Sequence, residues 1–358
     1  MQSKRILQFV VGITLLTSCQ SSSFANSLSE SLSSDVDSQV SYRENRYQNF
    51  VYELDFADPS VIRHDDGVFY AYATGGKIIS SPDLVNWEDG GRAFESNPAW
   101  GTLGAGLWAP VVAKIQNQYV MYYSLSRWGD TNPGIGLATS PHPAGPWTDL
   151  GKLFFSDEIG VNNSIDPEIY QEDGHVYLLW GSFRGIYGIE LTADGLGFQA
   201  GDINAAYAAK IHLAGHETSY GLDVSTFEAV NIEKIGEYYY MFVSSGECCS
   251  GAYSYHAKVG RATSIFGEYL DADARSMKNS NVGTYVVTGN SIFTAPGHND
   301  VIIDDAGDYW LLYHAFPGVD RSRRALLIDR LRFNLEGWPS LFGISPTNND
   351  QNGPRILA

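Results

Sequence analysis

Basic side chains are scarce in this 358-residue chain: 23 Lys and Arg stand against 41 Asp and Glu, a formal net charge of −18. A surface of that sign repels phosphate backbones, which argues against nucleic acid and suits a neutral or cationic ligand. Cysteine is nearly absent as well. The three present are Cys19 and the adjacent pair Cys248 and Cys249, so there is no disulfide framework, and two thiols are too few for a zinc site. The adjacent pair can close on itself as a vicinal disulfide or stay as two buried thiols. Long amphipathic helical patterns are missing, while Gly occupies 37 positions; together these favour many short strands joined by turns. The apolar run ILQFVVGITLL (6–16) is too short to span a bilayer as an ordinary transmembrane helix.

That run follows Lys4 and Arg5 and ends in Leu16-Thr17-Ser18-Cys19, the layout of a targeting segment rather than of folded structure. The ending resembles the bacterial lipoprotein box. It implies a signal peptide over 1–18 and lipidation of Cys19; the alternative is a plain secretory signal with an incidental cysteine. Gln20 is no inner-membrane retention signal. The expected location is therefore the cell envelope, anchored by lipid to the outer membrane where there is one, on its periplasmic or cell-surface side. Residues 19–45 are Ser-rich and poor in apolar side chains, a flexible tether. Residues 46–346 read as one folded domain, and 347–358 (TNNDQNGPRILA) as a loose polar tail.

Within the folded stretch one strand is written five times: VFYAYAT (68–74), YVMYYSL (119–125), VYLLWGS (176–182), YYYMFVS (238–244) and YWLLYHA (309–315). Each follows a turn-like step. A second recurring element, SSPDLVNW (80–87), ATSPHPAGPW (138–147) and RATSIFGEY (261–269), looks like an outer strand running into an aromatic anchor. A repeat of some fifty to seventy residues with several strands each signals an all-β, five-bladed propeller rather than a solenoid. Ring closure also spares the strands exposed edges.

The offsets carry the chemistry. Eleven residues before Tyr119, Tyr177, Tyr239 and Tyr309 stand Trp108, Asp166, Glu228 and His298; twelve before Tyr70 stands Asp58. Equivalent positions on five blades face one central channel, so an indole, an imidazole and three carboxylates share one pocket. The steps Asp58-Pro59 and Asp166-Pro167 are read as extended backbone that aims each carboxylate, because proline disfavours helical geometry in the residue before it. Like charges and desolvation raise the pKa of at least one such carboxyl while others stay ionised. A glycoside hydrolase needs that split: one protonated acid and one carboxylate acting as base or nucleophile.

The motifs DPSVI, LWAPVV, IGLATSPHPAGPW, SIDPEIY with LLWGSF, FEAVNIEKIGEYYYMFVSSGECCSG, VGRATSIFGEYLD and PGHNDVI come in an order that resembles glycoside hydrolase family 43, and within it the arabinanases. The resemblance covers about residues 50–345. It implies a five-bladed propeller and inverting cleavage of α-1,5-linked L-arabinan, with endo action preferred. Asp58 then resembles the general base, Glu228 the general acid, and Asp166 the residue that orients the acid and tunes its pKa. An inverting pair stands about 6.5–9.5 Å apart. His298 resembles the histidine that holds a metal, usually calcium, largely through waters, although calcium prefers oxygen ligands; the alternative is a channel histidine bonded to Asp or Glu.

Trp108 offers either a sugar-stacking face or blade packing, and Phe183 is a second candidate for substrate contact. Arg127 and Trp128 lie in a loop after the strand YVMYYSL, placed to line the cleft, to pack in the core or to face solvent. Two positions depart from the arabinanase pattern: Ala57 stands where His is common, and Val230 where Pro is. The rival readings are an exo-acting α-L-arabinofuranosidase or β-xylosidase of the same family, with a cleft blocked somewhere between Leu196 and Asp223, and a non-catalytic surface propeller that captures glycan. Invertase-type propellers are disfavoured because their Asp-Pro-Asn-Gly motif is absent. The chain is expected to act as a monomer, with no organic cofactor.

Overall fold

Each of the five repeated segments is the second strand of a sheet in the computed structural model, which describes residues 41–216, 226–249, 253–279, 281–318 and 320–358. The expected signal peptide, Cys19 and most of the expected tether lie outside the described residues. Blade I is Ser60–Arg63, Phe69–Ala73, Lys77–Ser81 and Glu88–Arg92; blade II is Gly106–Ile115, Gln118–Ser126, Gly134–Ser140 and Thr148–Phe155. Blade III is Glu168–Glu172, His175–Trp180, Ile186–Leu191 and Ile211–Ala214; blade IV is Phe227–Ile235, Tyr238–Ser245, His256–Ala262 and Thr284–Val287. Blade V has three strands, Phe293–Ile303, Tyr309–Pro317 and Ala325–Arg330. All pair antiparallel in chain order. The protein is a five-bladed β-propeller.

The fourth position of blade V is filled from the other end of the chain. Val51 donates to the Leu326 carbonyl at 2.9 Å, and Leu326 donates back to Tyr52 at 3.1 Å. The N-terminal segment thereby closes the ring.

The second strands read as continuous apolar runs because both of their faces are buried. In blade II, Val120 and Tyr122 pack toward blade III beside Val176, Leu178 and Trp180. Their neighbours Tyr119, Met121 and Tyr123 pack toward blade I beside Tyr72 and Ile78. Period-2 side-chain alternation thus feeds two cores from one strand. The same happens around the ring, with further apolar clusters between blades III and IV, IV and V, and V and I.

The C-terminal residues are not a loose tail. Gln351–Asn352 pairs with Arg46–Tyr47, Tyr42 bridges Leu357, and Ile356 is buried in the core between blades V and I. Among the described residues the first such pairing is at Tyr42, inside the stretch expected to be tether. A polar composition hid this because the anchoring is by backbone pairing and a single apolar side chain. The stretch suspected of blocking the cleft forms a short helix, Ile203–Ala209, and the outer strand Ile211–Ala214 as far as it is described; residues 217–225 lie outside the described set.

Asp329 ties the closure together. Its buried carboxylate accepts from Tyr47 (3.3 Å), Asn49 (2.8 Å), Tyr313 (2.7 Å) and the Thr347 hydroxyl, and burial pushes its pKa up to about 6. Asp329→Ala leaves these donors without an acceptor and is expected to cost about 3 kcal/mol of stability. Denaturant unfolding checks this, with KM unchanged; an unfolding midpoint equal to wild type would contradict the role.

Candidate active site

One backbone kink recurs at the inner strand of every blade. Asp58, Ala109, Asp166, Ala229 and His298 have φ of 58°, 41°, 57°, 54° and 48°, all in the left-handed region that non-glycine residues rarely adopt. In blades II, IV and V the strand register slips at that point. The extended reading of Asp58 and Asp166 is therefore corrected. Proline excludes the right-handed helical region for the residue before it, but the short polar side chain of Asp tolerates the left-handed one.

A kinked amide leaves the sheet ladder and needs another acceptor. In four blades a side chain at or near the end of the preceding blade's second strand supplies it. Thr74 Oγ1 accepts from Ala109 (3.0 Å), Ser124 Oγ from Asp166 (3.0 Å), Ser244 Oγ from His298 (2.8 Å) and His314 Nδ1 from Asp58 (3.0 Å). The fifth position is Ser182. Its hydroxyl is turned to the Glu228 carboxylate at 2.8 Å, and the Ala229 amide donates to Asp166 Oδ2 at 3.3 Å instead. The four clamps and Ser182 stand at the last or next-to-last position of the five repeated segments, as Thr, Ser, Ser, Ser and His, a recurrence that carries no meaning until the amides opposite are known to be kinked.

The kinks bring Asp58, Trp108, Asp166, Phe183, Glu228 and His298 to the wall of one cavity of about 520 Å³. Arg127 and Trp128 line it too, and Trp128 packs against Trp108 with ring centroids 5.7 Å apart. Cys248 and Cys249, joined as a vicinal disulfide, form part of the rim beside Arg324.

The carboxyls in this cavity are set apart by their neighbours. Burial works to raise Asp58, but Arg324, whose guanidinium lies 3.0 Å from Oδ1, and His298 at 3.3 Å outweigh it and hold the carboxyl well below its usual range. Thr74 adds a hydrogen bond to Oδ2 at 2.6 Å. Among the described residues Asp166 has no guanidinium beside it. Burial pushes it up to about 7, and the Glu228 charge adds to the rise while His298 opposes it. Glu228 is also pushed up, mainly by burial, against hydrogen bonds from Tyr255 and Ser182. At neutral pH the cavity therefore holds an ionised Asp58 and a protonatable Asp166–Glu228 pair.

The two histidines differ in kind. His298 is buried, which disfavours protonation, yet the surrounding carboxylates, Asp58 first, raise its pKa overall. His314 accepts the Asp58 amide on Nδ1, so its proton sits on Nε2; burial and the Arg324 charge hold it neutral. Its ring stacks on Tyr255, centroids 5.9 Å apart. Tyr255 reaches this place because Gly297, in the PGHN segment, has no side chain: a Cβ there would meet the Tyr255 ring at 2.5 Å. Deeper in the channel Asn231 donates to both Glu168 (3.0 Å) and Asp300 (2.9 Å), whose carboxyls burial raises, Asp300 to about 6.

Among the described residues no group of three or more His, Cys, Asp or Glu side chains is arranged to hold a metal. Among the same residues His298, whose Nδ1 lies 3.3 Å from Asp58 Oδ1, is the one imidazole on the wall of this cavity.

Residues 47–339 match the family described as Glycosyl hydrolases family 43. An extracellular exo-α-(1→5)-L-arabinofuranosidase of Cellvibrio japonicus is 33% identical over 81% of this chain and 87% of its own length. An extracellular endo-α-(1→5)-L-arabinanase of Bacillus subtilis is 31% identical over 79% of this chain and 86% of its own. Among solved structures, a Cellvibrio cellulosa α-L-arabinanase complexed with arabinohexaose superposes with a TM-score of 0.72 at 30% identity, covering 81% of this chain and 96% of that one.

Arg324 is the main cation holding Asp58 ionised. Arg324→Met should raise the Asp58 pKa, because the remaining burial favours the neutral form, and so move the acid limb of kcat/KM up by about one to three pH units. The alkaline limb, set by the Asp166–Glu228 pair, should stay in place. A pH profile with an unmoved acid limb would exclude this role.

Proposed function

The chain belongs to the glycosyl hydrolases of family 43 and is a glycoside hydrolase acting on O-glycosyl bonds; from that membership we propose that its substrate is α-1,5-linked L-arabinan, cleaved with inversion. The observation that carries this reading is the opposed displacement of proton affinity within one cavity, Asp58 down and Asp166 and Glu228 up. Asp58 is the base: ionised, it takes a proton from water as that water attacks the anomeric carbon. Glu228 is the acid and gives its proton to the leaving oxygen as the glycosidic bond breaks. Asp166, bonded to the amide just after Glu228, orients the acid and keeps its proton affinity high. Trp108 and Phe183 supply faces for the sugar rings.

Endo action is supported by a second cavity that borders the catalytic one and shares Trp128, Cys249 and Arg324 with it, room for further sugar units beside the carboxyls. The similarity to an exo-acting relative makes exo action the competing mode. Debranched linear arabinan decides between them: a ladder of oligomers is expected, and release of a single small product would overturn endo action.

Calcium at His298 belongs to the same proposal. The imidazole and a water shell would hold it, and its charge would lower the proton affinity of the channel carboxylates. Elemental analysis of the purified protein tests it, and absence of calcium at saturating supply would dismiss it. Membrane attachment through a lipid on Cys19, which lies outside the described residues, is tested by detergent phase partitioning of wild type against Cys19→Ser. A monomer is expected in light scattering.

Glu228→Gln preserves shape and removes the proton to be donated. Hydrolysis of unactivated arabino-oligosaccharides should fall on the order of 10³-fold while calorimetric binding persists. Unchanged hydrolysis would sink the assignment of Glu228 as the acid.

A further inference from the structure

Beyond Trp128 lies a second cavity of about 350 Å³. Trp128, Cys249 and Arg324 line both it and the catalytic cavity, so the two are adjacent, as neighbouring sugar units of one bound glycan would require. Its remaining wall carries Arg321 and Arg323 together with Phe316, Ser322 and Asp55. Three guanidiniums around one cavity are conspicuous in a chain of net charge −18.

Two of the three are committed. Arg324 pairs with Asp58 at 3.0 Å. Arg323 lies 3.4 Å from Asp320 and 4.0 Å from Glu53. The lining acid Asp55 is itself paired with Lys77 at 2.9 Å. Arg321 has no carboxylate partner among the described residues. Its guanidinium lies 4.0 Å over the Tyr253 ring and 5.4 Å from the Phe316 ring and donates to the Thr294 hydroxyl. Aromatic stacking holds a guanidinium in place while leaving in-plane donors for a carboxylate, which the planar fork can bind through two hydrogen bonds. At the junction of the cavities Trp128 is 78% exposed, an aromatic face of the kind on which sugar rings stack.

We propose that this second cavity is a subsite for a uronic acid, a sugar whose ring stacks on Trp128 and whose carboxylate pairs with Arg321. The inference rests on the glycan-hydrolase reading above and extends it: the chain cut in the first cavity carries an acidic sugar in the second. Specificity for an acidic branch or neighbour then follows from one uncompensated cation.

The test is calorimetric titration of the full chain with methyl α-D-galacturonoside and with methyl α-D-galactoside, which differ only in bearing a carboxylate or a hydroxymethyl group. The uronoside should bind about tenfold or more tightly at low salt, and added NaCl should narrow the gap. Arg321→Ala should abolish the difference while hydrolysis of short neutral arabino-oligosaccharides stays at the wild-type rate, which also shows that the variant folds. Equal affinities, a difference that survives in Arg321→Ala, or competition by acetate as effective as by the uronoside would each overturn the subsite. Titration reads binding without turnover. A failure to cleave arabinan would count against the proposed function and leave this result standing.

Discussion

The aim of the channel side chains depends on one hydrogen bond repeated at four of the five kinks, in which a side chain of one blade holds the kinked amide of the next. Thr74, Ser124, Ser244 and His314 each do this, and His314 on blade V reaches Asp58 on blade I, so the series closes on itself. Left-handed backbone costs a non-glycine residue about 1–3 kcal/mol and persists only where its surroundings enforce it. Here the enforcement comes from apolar cores between successive blades, which fix the second strands and with them the clamps. The kink aims a side chain at the axis from a strand that would otherwise run past it.

The one departure from the series falls beside the acid. At blade IV the Ser182 hydroxyl serves Glu228, and Asp166 takes over the amide that a clamp would have held. A structural position has been converted into a link between two carboxyls. Meanwhile Thr74 serves both purposes, accepting from Ala109 and donating to Asp58. The separation of proton affinities then needs few parts. Arg324 and His298 stand beside Asp58, whereas at Asp166 and Glu228, which have no paired guanidinium among the described residues, burial outweighs the opposing His298 charge.

The propeller and its channel residues were legible because both faces of each second strand are buried, which wrote the same aromatic run five times and kept Asp58, Trp108, Asp166, Glu228 and His298 at nearly constant offsets. What escaped was of two kinds. Local rules misjudged the kinks: Asp-Pro suggested extended backbone, and Ala109 and Ala229 carry no sign of a positive φ. Contacts between residues far apart in the chain left no local pattern, as with Arg324 on Asp58, Tyr255 behind Gly297, and the C-terminal residues paired to Arg46–Tyr47. The Thr, Ser, Ser, Ser and His at the ends of the repeated strands were in view, but they become meaningful only once the amides opposite them are known to be kinked.

The most direct measurement is a carboxyl-carbon NMR titration of protein labelled at Asp and Glu side chains, with Asp58→Asn and Glu228→Gln used for assignment. Asp58 should remain ionised to the lowest pH at which the protein stays folded, while the Asp166–Glu228 pair takes up a proton as the pH falls through about 7. Three carboxyls titrating together near 4, the ordinary range for exposed Asp and Glu, would show that the channel does not divide them into acid and base.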